Sequence, residues 1–161
     1  MKSSLHLLPS GLNSDVEGDS IRKYLSSSAK ETYNIGFELG KTLPINTVVC
    51  FFGNLGAGKT TFIKGLVAGA LGSIKDEVNS PTFTYLNIYH GIKMLYHFDL
   101  YRLRDVDEFL SMGFDEMFDA GGICCIEWSE KIVSIIPLEA IQIEMIHLGG
   151  DERQITVSRM H

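Results

Sequence analysis

Gly53-Asn54-Leu55-Gly56-Ala57-Gly58-Lys59-Thr60 fits G-x-x-x-x-G-K-[ST], a loop whose backbone N–H groups surround an anionic phosphate. Gly53, Gly56 and Gly58 let the backbone turn tightly and approach phosphate without a Cβ in the way. Lys59 can reach β- and γ-phosphate oxygens, and the Thr60 hydroxyl can ligate a Mg²⁺ that bridges them. Average composition yields such an octapeptide in roughly one chain of this length in two hundred. The flanks narrow the reading further. Thr47-Val48-Val49-Cys50-Phe51-Phe52 is a short apolar run that reads as a buried parallel strand. After the loop, Phe62, Leu66, Ala70 and Ile63, Val67, Leu71 recur at helical spacing until Gly72, a C-terminal stop. Strand, glycine loop and helix aim a helix N-terminus at phosphate.

Composition excludes several classes. The chain has 161 residues, 45% of them hydrophobic and 21% charged, which suits one globular domain with a buried core. A formal net charge of −6 without any Lys/Arg run argues against nucleic-acid binding by bulk electrostatics. Cys50, Cys124 and Cys125 form no C-x-x-C and sit in apolar runs, so they read as buried small hydrophobes in a reducing compartment. Nowhere do about eighteen apolar residues run together, and residues 1–11 lack a signal-peptide core. A cytoplasmic protein without a membrane span is expected.

Residues 1–20 are rich in Ser, Gly and Asp and read as a loosely held extension with room for a short strand at Leu5–Leu8. Residues 21–161 are expected to form a single domain, opening with an edge strand at Ile21–Leu25. Ser28-Ala29-Lys30-Glu31 fits a capping box, with Glu31 reaching back to the N-cap amide. It starts a helix over residues 29–42 that buries Ile35, Leu39 and Leu43 and ends before Pro44. Beyond the loop helix, Leu86–Tyr89 and Met94–Phe98 read as strands joined by a turn at His90-Gly91. Asp105-Val106-Asp107-Glu108 is a second capping box, opening a short helix stopped by Gly113. A helical turn follows at Phe114–Asp119. Ile123-Cys124-Cys125-Ile126 is a buried central strand that delivers Glu127 to its C-terminal edge, where open α/β sheets bind ligands. Another short helix is expected over residues 129–134. Ile141, Ile143, Met145 and then Ile155, Val157 alternate with polar residues around Gly149-Gly150, an antiparallel terminal hairpin. The expected fold is α/β: a P-loop NTPase with a central, mostly parallel sheet flanked by helices and closed by that hairpin.

A bound nucleotide needs Mg²⁺ and a group that holds the metal or orients a water. Asp99 and Glu127 both follow strand-like apolar runs, and either could be that acid. Glu127 has the stronger apolar lead and is favoured for the metal side; Asp99 then supports the metal or positions the attacking water. Thr82 reads either as a hydroxyl on a mobile loop that senses γ-phosphate and Mg²⁺ or as a turn residue after Pro81. His97 alternates as a structural histidine would, with a catalytic base as the lesser reading. Trp128, the only tryptophan, reads as core packing, with a nucleotide or partner contact as the alternative. Arg102 and Arg104 read equally as a partner-facing pair or as solvated charges.

The 53–62 segment, Ser80-Pro81-Thr82-Phe83, His97-Phe98-Asp99-Leu100-Tyr101-Arg102-Leu103, Met112-Gly113 and Ile126-Glu127-Trp128 together resemble the TsaE (YjeE) family. These are small P-loop ATPases of bacterial tRNA threonylcarbamoyladenosine synthesis. The resemblance covers about residues 26–158. It implies ATP and Mg²⁺ as cofactors and TsaD and TsaB as partners. That pair moves threonylcarbamoyl from its adenylate to the adenosine beside the anticodon, so tRNA is met only through the complex. ATP turnover would reset or regulate the pair. By the matched motifs, Gly56, Ala57, Gly58, Lys59, Thr60 and Thr61 would hold phosphate. Thr60 and Glu127 would hold Mg²⁺, and Asp99 would serve hydrolysis. The resemblance also places Ala29, Thr32 and Arg153 near the nucleotide. Asn54 stands where the family usually has Asp. Two readings compete with it, a small-molecule kinase and a non-hydrolysing nucleotide-dependent interaction module. The chain lacks an Arg-rich lid segment, an N-K-x-D guanine motif and an LSGGQ signature.

Overall fold

The computed structural model describes residues 21–72 and 77–160. The extension read over residues 1–20, with its strand at Leu5–Leu8, lies outside them. Seven strands form one sheet: β1 Arg22–Ser26, β2 Val48–Phe52, β3 Leu86–His90, β4 Met94–Asp99, β5 Gly122–Glu127, β6 Ile141–Gly149 and β7 Glu152–Arg159. Their order across the sheet is β1-β7-β6-β2-β5-β4-β3. Pairings of β2 with β5, β2 with β6 and β4 with β5 are parallel. Those of β1 with β7, β3 with β4 and β6 with β7 are antiparallel. The expectation of a mostly parallel sheet is therefore corrected: it holds for the four central strands only. The C-terminal hairpin exists, but it is no appendage. The buried residues Ile143 and Met145 dock β6 beside β2, and β7 then takes β1 on its far side, which builds an antiparallel flank.

β2 shows how the sheet builds two cores. Val49 and Phe51 face helices α1 (Ala29–Thr42) and α2 (Lys59–Leu71), whereas Val48 and Cys50 face α3 (Val106–Ser111) and the 3-10 segments Phe114–Asp119 and Ser129–Ile135. Ser28 caps α1 as expected, accepting from Glu31 N at 3.1 Å. Glu31 Oε2, however, accepts from Ser27 N at 2.7 Å, one residue before the expected N-cap amide. The second capping box repeats that shift: Asp105 accepts from Glu108 N, and Glu108 accepts from Arg104 N.

Ile35 and Leu39 pack partly buried against the core, but the most deeply covered face of α1 is Thr32, Gly36 and Gly40. A Cβ on Gly36 would overlap the Phe62 carbonyl oxygen of α2, and one on Gly65 would overlap the Tyr33 carbonyl oxygen of α1. The two helices thus approach backbone to backbone, which brings Thr32 to the start of α2.

Candidate functional site at the parallel edge

Parallel pairing sets Asp99 at the end of β4 opposite Glu127 at the end of β5, and Glu127 opposite Phe51 near the end of β2. The chain leaves β2 into the 53–60 loop, so loop and both acids share the C-terminal edge of the parallel strands. Gly53 and Gly58 adopt φ of 150° and 97°. Gly58 is the N-cap of α2 and supplies no side-chain cap. First-turn N–H groups have no intrahelical partner, so this end of α2 is electropositive.

Lys59 is 7% exposed. Its Nζ donates to the Gly53 carbonyl at 2.5 Å and lies 4.5 Å from the centre of the Trp128 ring. Trp128 adopts φ 61° immediately after β5 and packs on Tyr101 with ring centres 5.0 Å apart. A left-handed conformation is rare for a bulky side chain; here it turns the indole back under Lys59, a placement between core packing and open solvent.

Four side chains link the helix start to the sheet. Thr60 Oγ1 lies 3.3 Å from Ser80 Oγ, and the Ser80 hydroxyl donates to Glu127 Oε2 at 3.1 Å. His97 Nε2 is 2.9 Å from that same oxygen. Asp99 has a separate set: Oδ2 accepts from the Thr82 hydroxyl at 3.3 Å and Oδ1 from Tyr101 N at 3.0 Å. Its own N–H donates to the carbonyl of Tyr85, a residue at φ 64° that closes the 79–85 loop. Asp99, Glu127 and His97 are all buried.

On the other side of the first turn of α2, Ala29, Thr32, Gly58, Thr61, Asp151 and Arg153 line a cleft of about 60 Å³. The Thr32 hydroxyl bonds to Ser26 at 2.8 Å, so Thr32 offers the cleft its methyl. Arg153 donates from Nε to Ala57 O at 3.1 Å and from a terminal nitrogen to Gly56 O at 3.3 Å. It therefore braces the loop through backbone carbonyls. A larger cleft of about 380 Å³ lies away from this edge, among Arg22, Tyr24, Ile35, Glu38, Leu39 and Val157.

Sequence reasoning named Lys59, Thr60, Thr82, Asp99, Glu127 and Trp128, and the structure gathers them on one side of the loop. Ala29, Thr32, Thr61 and Arg153 gather on the other. Missing from that reading were Ser80 as the link between Thr60 and Glu127, and the contact of His97 with Glu127. Ser80 carried one signal, its place just before Pro81-Thr82. The pairing of His97 with Glu127, 30 residues apart, had none.

Among the described residues, no three His, Cys, Asp or Glu side chains cluster to hold a metal by themselves. Thr60 and Glu127, linked through Ser80, offer one hydroxyl and one carboxylate, oxygen donors of the kind that would suit a Mg²⁺ ion completed by waters and phosphate. Cys50, Cys124 and Cys125 are free and buried. Burial pushes the Cys50 and Cys124 thiols up to about 12, a Ser129 hydrogen bond to Cys50 offsetting it in part, and pushes Cys125 well above its ordinary value. Among the described residues no helix is long and apolar enough to cross a membrane.

The family model for the threonylcarbamoyl adenosine biosynthesis protein TsaE matches residues 26–155. The chain belongs to the TsaE family. It is 42% identical over 134 residues to the tRNA threonylcarbamoyladenosine biosynthesis protein TsaE of Treponema pallidum, covering 83% of this chain and 98% of that one. The TsaE of Bacillus subtilis is 47% identical over 110 residues, 68% of this chain and 67% of its own length. The crystal structure of Bacillus subtilis YdiB superposes with a TM-score of 0.75 at 34% identity, covering 89% and 88% of the two chains. The TsaE match spans the loop, both acids, Ser80, His97 and Arg153, so both sides of the α2 N-terminus lie inside the matched region.

Proposed function

We propose that this chain is a Mg²⁺-dependent ATPase with a P-loop NTPase fold, acting in the cytoplasm in tRNA threonylcarbamoyladenosine formation. In this reading it works with TsaD and TsaB, meets tRNA through them, and uses ATP turnover to reset or regulate the pair. The observation that carries it is the chain of contacts from Thr60 through Ser80 to Glu127. It ties the first turn of α2 to a buried acid on the neighbouring strand, beside Lys59.

Each residue then has a distinct task. Loop N–H groups and the α2 N-terminus take phosphate oxygens of ATP. Lys59 leaves the Gly53 carbonyl for β- and γ-phosphate. Thr60 and Glu127 are the groups that would hold Mg²⁺, which would supply positive charge against the phosphates. Asp99, restrained by Thr82 and Tyr101, keeps a carboxylate at the same edge to orient a water and take its proton. Thr82 couples that carboxylate to the 79–85 loop, which gives the loop a way to respond to γ-phosphate. Ala29, Thr32, Thr61 and Arg153 shape the cleft for the nucleoside end, and Trp128 walls the lysine.

The test is ATP hydrolysis by the purified chain, alone and with the TsaB–TsaD pair from the same source, for wild type and Glu127→Ala. Stimulation by the pair that the variant loses is the expected result. Absence of both binding and stimulation would sink this reading and turn attention to acceptor screens for a kinase. Undiminished support of tRNA modification by Glu127→Ala would instead favour a non-hydrolysing interaction module.

A further inference from the structure

We propose that His97 is the positioning residue for Glu127: its Nε2–H, together with the Ser80 hydroxyl, occupies Oε2 and leaves Oε1 as the oxygen directed to Mg²⁺. The inference rests on reading Glu127 as the metal-side carboxylate.

His97 is fully buried on β4, and its register partner on β5 is Cys125. Glu127 lies two residues further along β5, on the same face of the sheet. Nε2 reaches Glu127 Oε2 at 2.9 Å. A carboxylate can only accept, so the nitrogen that meets it carries the ring proton. Nδ1 has no partner among the described residues, which suits a bare lone pair and not a second N–H. Ser80 donates to the same oxygen at 3.1 Å. Two donors on one oxygen fix the plane of the carboxylate and leave the other oxygen for a ligand. Partners of this kind orient the groups that touch a metal, and losing one weakens metal affinity without removing a ligand. A buried structural histidine also needs an acceptor for its N–H, so the two roles are separated by the response to Mg²⁺ and not by the bond alone.

Three substitutions separate these roles. His97→Leu keeps bulk and removes the donor. His97→Asn stays polar, but its amide nitrogen falls at the Nδ1 position, one atom short of Glu127. His97→Gln returns a donor to about the reach of Nε2. Calorimetry would follow ATP binding in EDTA and then across a Mg²⁺ series. The expected result is ATP affinity in EDTA close to wild type for all three. The Mg²⁺ needed for half of the metal-dependent gain should rise about tenfold or more in the Leu and Asn variants and return to within about threefold with Gln. Unshifted Mg²⁺ titrations in Leu and Asn, or an equal shift in Gln and Asn, would overturn the assignment. Affinity lost equally with and without Mg²⁺ would show a merely structural histidine and overturn it too. Should the Leu variant not fold, the contrast between Asn and Gln decides in the same way. A wild-type chain that binds no ATP, or binds it without regard to Mg²⁺, would instead bring down the proposed function itself.

Discussion

At the residue scale, Lys59 serves two settings. Its stem is buried and its Nζ rests between Gly53 O and the Trp128 ring. Lys59→Ala is therefore expected to abolish ATP binding and to cost about 2 kcal/mol of stability from the lost charge-assisted hydrogen bond and ring contact. For a chain of this size that is a fall in Tm of roughly 4–8 °C; a collapse of the ligand-free melt would contradict it. The thiols make a second case. The folded state holds Cys50 and Cys124 near 12, against an ordinary value of 9.0. Unfolded thiols thus release protons first as pH rises. Their contribution to stability is complete below pH 9 and is lost between about 9 and 12. At pH 8 the native chain should resist alkylation that the denatured chain accepts at three sites per molecule. Mass spectrometry reads the difference, and rapid native labelling would refute the burial.

At the element scale, the α1–α2 contact holds more than periodicity records. Ile35, Leu39 and Leu43 do line the apolar side of α1, but the helix meets α2 through Gly36 and Gly40, and α2 answers with Gly65. A pattern search looks for apolar side chains, and glycine at a helix contact has none to count. Gly65→Ala should force the helices apart at a cost of about 1–3 kcal/mol, or roughly 2–12 °C in Tm. Asn34→Ala, on the exposed side of α1, should stay within about 0.5 kcal/mol. Equal melts for the two variants would show that the close approach carries no weight. Because α1 brings Thr32 to Gly58, the Gly65 variant should also weaken nucleotide binding.

At the scale of the whole molecule, the site is open at its mouth. Leu55 at the loop tip and Phe83 on the 79–85 loop are 89% and 81% exposed, and Arg102 stacks on the Phe83 ring at 4.5 Å. Large apolar side chains left in water beside the proposed nucleotide site suit a surface that a partner completes. The isolated chain should therefore turn ATP over well below the rate of about 1 s⁻¹ at the slow end of kinases. Steady-state assays without partners read this directly, and fast unaided hydrolysis would count against a partner-gated enzyme.

The sequence by itself determined the elements and the backbone course of the loop. Strand, glycine loop and helix over residues 47–72 are local matters of periodicity, capping and φ > 0 glycines, and so are the carboxylates that end β4 and β5. Tertiary structure decided which groups meet. Ser80 and Glu127 are 47 residues apart, and Arg153 reaches Ala57 across 96. Their contacts exist because β5 runs parallel to β4 and the terminal hairpin docks through β6 beside β2. Strand order depends on how whole faces pack, and no local window of sequence records that packing.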